Sequence, residues 1–428
     1  MHLNILERRK STIFFRKQKK FSVIRRTRKW NCKLGKKILY VTNYYLDDVV
    51  KQRHSEPYIS QAGQNKGRYI MDMLRTGGND VIVWSNAWTN SHSLKFYRGF
   101  QSEEDSSLYY SDIVGIPGLN AYVCLASSKR FLRKLVKKQK IDVIIFYNMR
   151  LENSKLALYA KKHFKIPIIL QYEDGLTNDA NIRGLKKLVY QNMEQEVLGQ
   201  LDGAFLVNSK IQVPCPSVVI RGAIRDREKS RTEKCLPDTD HIPKLLFSST
   251  LDRQRGIGVL LEALAYTKED FILTITGRGE AEQQVRAQKD RRIRFLGYLD
   301  YAAYKKELEE TDICLNVQLA HHEFGNFSFP SKIFEYLSAG KLVISSDVAD
   351  TKEALGDTLI LYGEDDPRQL AAAIDRAIAI QKNEKERQIY QNKIAAVVEQ
   401  NTIDKVAERV NRLLEKVANS HSKHIQGE

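Results

Sequence analysis

Short aliphatic and β-branched runs alternate with amphipathic stretches along most of the chain. Lys37-Ile38-Leu39-Tyr40-Val41-Thr42 reads as a first buried strand, and a long polar loop follows to Gly63. Helical periodicity then runs from about Asn65 to Arg75, where Gly77-Gly78 stops it. Val81 to Trp84, Ile141 to Phe146, Ile166 to Leu170, Ala204 to Ser209 and Val218 to Ile220 continue as strands, with helical segments near 127–140 and 151–163. Continuous apolar strands separated by helices predict a parallel sheet covered on both faces.

The pattern lapses between Arg225 and Pro243, where Pro237 and Pro243 bracket the charged Asp238-Thr239-Asp240. It then restarts. Lys244 to Ser249, Phe271 to Ile275, Ile293 to Leu296 and Ile313 to Asn316 read as strands, with helices near 256–266, 279–287 and 301–310 between them, and helical pattern resumes at 367–380 and 403–417. The expectation is an α/β chain with two doubly wound, Rossmann-like domains. Its divisions are a basic extension at 1–36, a first domain at 37–225, a linker at 226–243, a second domain at 244–385 and closing helices at 386–428.

Composition changes this picture in one place. The 428 residues are 42% hydrophobic and 28% charged, ordinary for globular domains, and no apolar run approaches the roughly 18–20 residues that cross a bilayer. The formal charge of +17 is concentrated: residues 1–37 hold fourteen Lys and Arg against Glu7, leaving about +4 for the rest. With Ile13, Phe14, Phe15, Phe21 and Trp30 interleaved, this tail suits an anionic membrane surface, at about 1 kcal/mol per basic residue. Nucleic acid or no role at all are its other readings, and no nucleic-acid partner is expected. Five scattered cysteines without Cys-x-x-Cys spacing (Cys32, Cys124, Cys215, Cys235, Cys314) fit a reducing cytoplasm and no structural zinc.

Candidate chemistry concentrates in 329–347. Pro330 suits a helix start, Ser331 and Lys332 follow where backbone donors converge, and Gly340 ends the helix before a buried strand. An anion is expected there. Glu335 lies four residues after Ser331, about 6 Å along the same face, where its carboxylate can accept ribose hydroxyls beyond a diphosphate. Alone, this stretch also reads as an ordinary amphipathic helix feeding a strand. Further pieces stand at strand-to-helix junctions of the same half. Ser249-Thr250-Leu251-Asp252-Arg253-Gln254-Arg255-Gly256 offers two guanidiniums for a diphosphate, and Gly277-Arg278-Gly279 permits close backbone approach to a ligand. In the first half, Glu173 and Asp174 follow an apolar strand, and Gly63, Gln64 and Arg68 border the same predicted cleft. Asp238-Thr239-Asp240 sits in the linker and Asp47-Asp48 in a loop, so neither is read as a metal site.

In this order the pieces resemble the donor site of retaining glycosyltransferases of the GT-B fold, family 4 (glycosyl transferases group 1). The resemblance spans about 37–417 and is densest in 245–347. It implies two domains facing across a cleft, with a final helix crossing back onto the first. It makes Glu335 the ribose-binding second glutamate of a Glu-x7-Glu motif whose first position is Phe327 here, leaving Glu323 as its stand-in. Arg255 matches the family's basic residue before glycine, with Ser249-Thr250 departing from Gly-Arg, and Phe295 to Leu299, with Tyr298, resembles the nucleobase segment.

The implied activity is hexosyl transfer from a nucleotide-sugar to a hydroxyl acceptor in cell-surface polysaccharide or glycolipid synthesis, with no cofactor or metal. The acceptor includes lipid-linked oligosaccharide, and the location is cytoplasmic, peripheral on the membrane's inner face. The alternatives are a nucleotide-sugar 2-epimerase of the same architecture and a non-catalytic GT-B-like partner protein.

Overall fold

The apolar runs become parallel strands close to where the pattern puts them. The computed structural model describes residues 35–55, 57, 59, 61–89, 94–116, 118–173, 184–222, 224, 241–319, 329–363 and 365–426. The first half runs β1 (Lys37–Thr42), α1 (Asp47–Arg53), α2 (Gln61–Thr76), β2 (Asp80–Ser85), β3 (Phe96–Tyr97), β4 (Leu108–Tyr110) and β5 (Ile113–Val114). It continues with α3 (Leu119–Lys138), β6 (Val143–Tyr147), α4 (Leu151–Phe164), β7 (Ile168–Tyr172), α5 (Gly184–Leu198), β8 (Gly203–Leu206) and β9 (Ser217–Val219). Seven of these strands form one sheet in the order β4-β2-β1-β6-β7-β8-β9, every pair parallel. Alternate residues of β1 face opposite sides: Ile38 and Tyr40 join one core with α2, while Leu39 and Val41 join another with α3 and α4.

The second half runs β10 (Lys244–Ser248), α6 (Ile257–Ala263), β11 (Ile272–Thr276), α7 (Glu282–Arg286), β12 (Ile293–Gly297), α8 (Tyr301–Glu310) and β13 (Ile313–Asn316). Next come α9 (Lys332–Ser338), β14 (Leu342–Ser346), α10 (Thr351–Leu355), β15 (Ile360–Tyr362), α11 (Pro367–Lys382), α12 (Glu384–Gln400) and α13 (Ile403–Gln426). Its six strands are again all parallel, in the order β12-β11-β10-β13-β14-β15. In both sheets the chain builds outward one way and then returns to build the other, so each has a switch point: β1/β6 in the first and β10/β13 in the second. Ligands of such sheets bind there, beyond the carboxyl ends of the strands.

The last helix crosses back. Val406, Val410, Leu413, Leu414 and Val417 of α13 are buried in the same core as α2 and β1, and Asn411 donates to the Gly77 carbonyl at 2.7 Å while accepting from Asn79 at 3.0 Å.

Several elements depart from the sequence pattern. The polar stretch after β1 contains helix α1, because Asp47 and Asp48 complement its N-terminus and Asp48 is fixed by Tyr110 (3.0 Å) and Ser102 (2.5 Å). Helix α9 begins at Lys332 rather than Pro330: the Ser331 N–H turns back onto the Phe329 carbonyl at 2.8 Å, leaving Pro330 in the preceding turn. The helices near 256–266 and 279–287 shrink to α6 and α7, α3 starts eight residues before 127, and α5 has no counterpart in the pattern. Asp174, Glu323, Phe327, Asp238, Asp240, residues 1–34 and most of the linker lie outside the described residues. No helix among the described residues is long and apolar enough to cross a membrane.

If α13 is held partly by Asn411, Asn411→Ala strands the Gly77 carbonyl and is expected to cost about 1–3 kcal/mol of stability in urea unfolding. Lys416→Ala, on the exposed face of the same helix, serves as the control and is expected within about 0.5 kcal/mol of wild type.

Candidate functional site

The β10/β13 crevice collects most of the cationic residues singled out in the sequence. Beyond β10 the chain forms a short turn at Arg253–Arg255, capped by Asp252, which accepts from the Arg255 N–H at 2.8 Å. The turn docks on the loop after β13. Arg255 donates to Gln318 Oε1 at 2.8 Å, the Leu319 N–H donates to the Gln254 carbonyl at 2.9 Å, and Gly256 (φ 74°) lies so close to the Val317 carbonyl that a Cβ would stand 1.8 Å from that oxygen. Only glycine fits there.

Lys332, at the start of α9, reaches back to the end of β10, donating to the Ser248 carbonyl at 2.7 Å and to Ser248 Oγ at 2.9 Å. The residue as a whole is exposed, yet its ammonium is closely surrounded, and desolvation lowers its pKa. Glu335 opposes this shift and Arg255 adds to it. Glu335, on the next part of the helix, accepts from the Tyr304 hydroxyl at 3.1 Å and has Lys305 at 3.8 Å.

The glycine pair predicted for close approach is packed by backbone. At Gly277 (φ 142°) a Cβ would lie 1.8 Å from the Ser249 carbonyl, and at Gly279 (φ 158°) 2.4 Å from the Leu251 carbonyl. Arg278 between them lies 4.9 Å over the ring of Tyr298, which is exposed. Ser249, Gly277, Arg278, Gly279 and Tyr298 thus form one contiguous edge beside the crevice. Ser331 is exposed and makes no side-chain cap bond.

In the first half Glu173 follows β7 and is already paired. It accepts from Gln171 Nε2 at 2.6 Å and forms an ion pair with Lys66 at 3.3 Å, while its backbone N–H donates to Asn148 at 2.9 Å. Gln64 spends its amide on the Tyr45 backbone in both directions (3.1 and 3.2 Å), Arg68 donates to the Tyr44 hydroxyl at 3.3 Å, and Gly63 sits on α2 one turn before Gly67, which packs on Tyr44. Gln64 and Arg68 therefore shape the loop after β1.

Sequence reasoning missed Lys66, Gln318, Tyr304 and Glu152. The first three are partners of residues distant in sequence, so no local spacing announces them. Glu152 is 1% exposed in the first turn of α4, with both carboxyl oxygens unpartnered, beside Arg150, whose guanidinium lies 4.9 Å over Trp88. Burial pushes its pKa up to about 7, with Arg150 opposing. Among the described residues, no three His, Cys, Asp or Glu side chains converge as metal ligands.

Comparison with known proteins fits this geometry. Residues 242–379 match the model of the family "Glycosyl transferases group 1". Among curated proteins, phosphatidyl-myo-inositol mannosyltransferase of Mycobacterium leprae is 32% identical over 190 residues, 42% of this chain and 48% of that one. The chain thus spans about half the length of the mannosyltransferases it matches. A phosphatidylinositol N-acetylglucosaminyltransferase component of Arabidopsis thaliana is 25% identical over 340 residues, 74% of this chain and 71% of that one. Among solved structures, sucrose-phosphate synthase of Thermosynechococcus elongatus superposes with TM-score 0.62 at 14% identity, over 90% of this chain and all of that one (100%). Anabaena HepE in complex with UDP superposes with TM-score 0.61 at 15% identity, over 89% and 99%. The fold is GT-B: two Rossmann-like domains with the closing helix returned to the first.

The raised pKa of Glu152 has a testable sign. The folded state keeps a proton that the unfolded chain, with a value near 4.5, has released, so the stability this group contributes is full below about pH 4.5 and lost as pH rises to about 7. Glu152→Gln is expected to gain on wild type between about pH 5 and about pH 8, by up to about 3 kcal/mol. Urea unfolding at both pH values measures it; a constant difference would mean that burial does not hold the proton.

Proposed function

We propose that the protein transfers a sugar from a nucleotide-sugar to a hydroxyl acceptor, with retention of configuration, in the manner of family 4. The observation that carries this reading is the convergence of Lys332 and Arg255 at the β10/β13 crevice, with the Glu335 carboxylate one turn along α9. Two like charges held together are relieved by an anion between them, and a diphosphate supplies one. In this reading Arg253, Arg255, Lys332 and Ser331 hold the diphosphate as it leaves, and Glu335 accepts the ribose hydroxyls. The edge of Ser249, Gly277, Arg278, Gly279 and Tyr298 lies along the nucleoside, and Glu323 faces the sugar.

The bond from the anomeric carbon to the diphosphate breaks and a bond to the acceptor oxygen forms on the same face. The acceptor proton passes to a donor phosphate oxygen, so the step requires no dedicated base and no metal or cofactor. Glu173, Asp174, Gly63, Gln64 and Arg68 border the acceptor. The mycobacterial and plant relatives carry phosphatidylinositol in their names, which supports a lipid or lipid-linked acceptor and attachment of the basic residues 1–36 to an anionic, cytoplasm-facing membrane surface.

A thermal-shift panel of nucleotide-sugars and free nucleotides tests the reading, because a ligand that binds the folded state raises its melting temperature. One donor is expected to stabilise the protein, and Glu335→Ala to weaken that donor about tenfold or more, on an unliganded melting temperature lowered because the buried Tyr304 hydroxyl loses its acceptor. Stabilisation by nucleotide without hydrolysis or transfer would favour the non-catalytic partner protein, and unchanged affinity in Glu335→Ala would remove the ribose role.

A further inference from the structure

Helix α8 touches both charged residues of α9 through one buried side chain. Tyr304, 8% exposed, donates its hydroxyl to Glu335 Oε2 at 3.1 Å and lays its ring 5.0 Å from the Lys332 ammonium. Lys305, its neighbour on α8, stands 3.8 Å from the other oxygen, Oε1. Burial and the adjacent carboxylate hold the phenol far above its ordinary pKa, so it remains a donor at every working pH.

This contact, with the Lys305 ion pair, constrains the Glu335 side chain. A glutamate loses up to about 2 kcal/mol of rotamer freedom when it is ordered. The bond from this buried phenol removes part of that freedom before any ligand arrives. A carboxylate accepts about four hydrogen bonds. Tyr304 occupies one position on Oε2, and the Glu335 side chain is 27% exposed, so open lone pairs remain in a fixed orientation.

We propose that Tyr304 is a positioning residue: its hydroxyl aims the Glu335 carboxylate at the hydroxyls of a nucleoside diphosphate's ribose and thereby sets a preference for ribonucleotide over 2′-deoxyribonucleotide. The proposal rests on Glu335 being the ribose acceptor. It adds a residue from a different helix and a selectivity that residue controls. The ring contact with Lys332 is a separate function of the same side chain and survives loss of the hydroxyl.

The test uses the full chain and calorimetric titration with UDP, GDP and ADP, then with the 2′-deoxy form of whichever binds tightest. Tyr304→Phe keeps the ring and removes the hydroxyl. Its ratio of ribo to deoxy affinity is expected to fall about tenfold, while the affinity for the deoxy form changes by no more than about twofold. A merely structural role would weaken both forms alike. Adding Tyr304→Phe to Glu335→Ala is expected to lower the ratio no further, as for two residues acting through one contact.

If Tyr304→Phe keeps the wild-type ratio while Glu335→Ala abolishes it, the positioning role is overturned and the ribose reading stands. If Glu335→Ala also keeps the ratio, or wild type binds none of the three diphosphates, the ribose reading fails and takes the proposal with it. Should Tyr304→Phe not fold, Glu335→Gln reads the contact from the other end, since its amide oxygen still accepts the phenol proton. It is expected to retain part of the ratio that Glu335→Ala loses, and equality of the two would overturn the proposal.

Discussion

The two passages of the chain between its halves meet at one point, and the geometry of the cleft depends on it. Leaving the first half, Ile224 donates its N–H to the Asn401 carbonyl at 2.9 Å and accepts from the Ile403 N–H at 3.0 Å, where the chain returns as α13. Beside this crossing the buried Asp350 of the second half gathers three groups of the first on a single oxygen, Oδ2: the Ser209 N–H (2.6 Å), the Ser209 hydroxyl (2.7 Å) and the Arg221 guanidinium (2.9 Å to Nε). Desolvation alone would raise the pKa of Asp350. The bonds from Arg221 and Ser209 reverse the sign and lower it, so pairing outweighs burial at this contact.

The crossing also leans on the candidate donor helix. Arg221 lies 5.8 Å over the ring of Phe329, which packs 5.7 Å from Phe334 of α9, and at Gly222 a Cβ would approach Phe334 to 2.8 Å. The helix that carries Lys332 and Glu335 is therefore wedged between β10, through Lys332, and the strand of chain that joins the halves. A change in how the halves sit has a direct mechanical route to Lys332 and Glu335. This route runs through side chains in contact and requires no longer pathway.

Strands and the order of candidate motifs were legible because they obey local rules. An apolar run of four to six residues flanked by glycine or charge has few alternatives to a strand buried on both faces, and β1, β10 and β14 came out accordingly. What stayed hidden depends on distant partners. Asp47-Asp48 read as loop because they fall in the polar stretch between β1 and Gly63, whereas Tyr110 and Ser102, more than fifty residues on, fix Asp48 at the start of a helix. Tyr304 carries no local signal; its hydroxyl has meaning only beside Glu335, 31 residues later. Nothing in the neighbours of Glu152 along the chain signals that α4 turns it inward.

The two crevices treat charge in opposite ways, and this asymmetry distinguishes their roles. At the first, Glu173 meets Lys66 with both side chains about five-sixths buried (15% and 16% exposed) and takes a further bond from Gln171. Among the described residues, the Glu173 charge is met there by Lys66. At the second, Arg255 and Lys332 share a crevice in which Glu335 is the opposing charge, and Glu335 is also engaged by Lys305. Ser248 takes two of the three hydrogens of the Lys332 ammonium. The third hydrogen, with the fork of Arg255, can meet an anion without breaking either bond to β10. The Glu173–Lys66 pair on one wall and the surplus positive charge of Arg255 and Lys332 on the other match the division that the proposed transfer, from an anionic donor to a neutral acceptor, calls for.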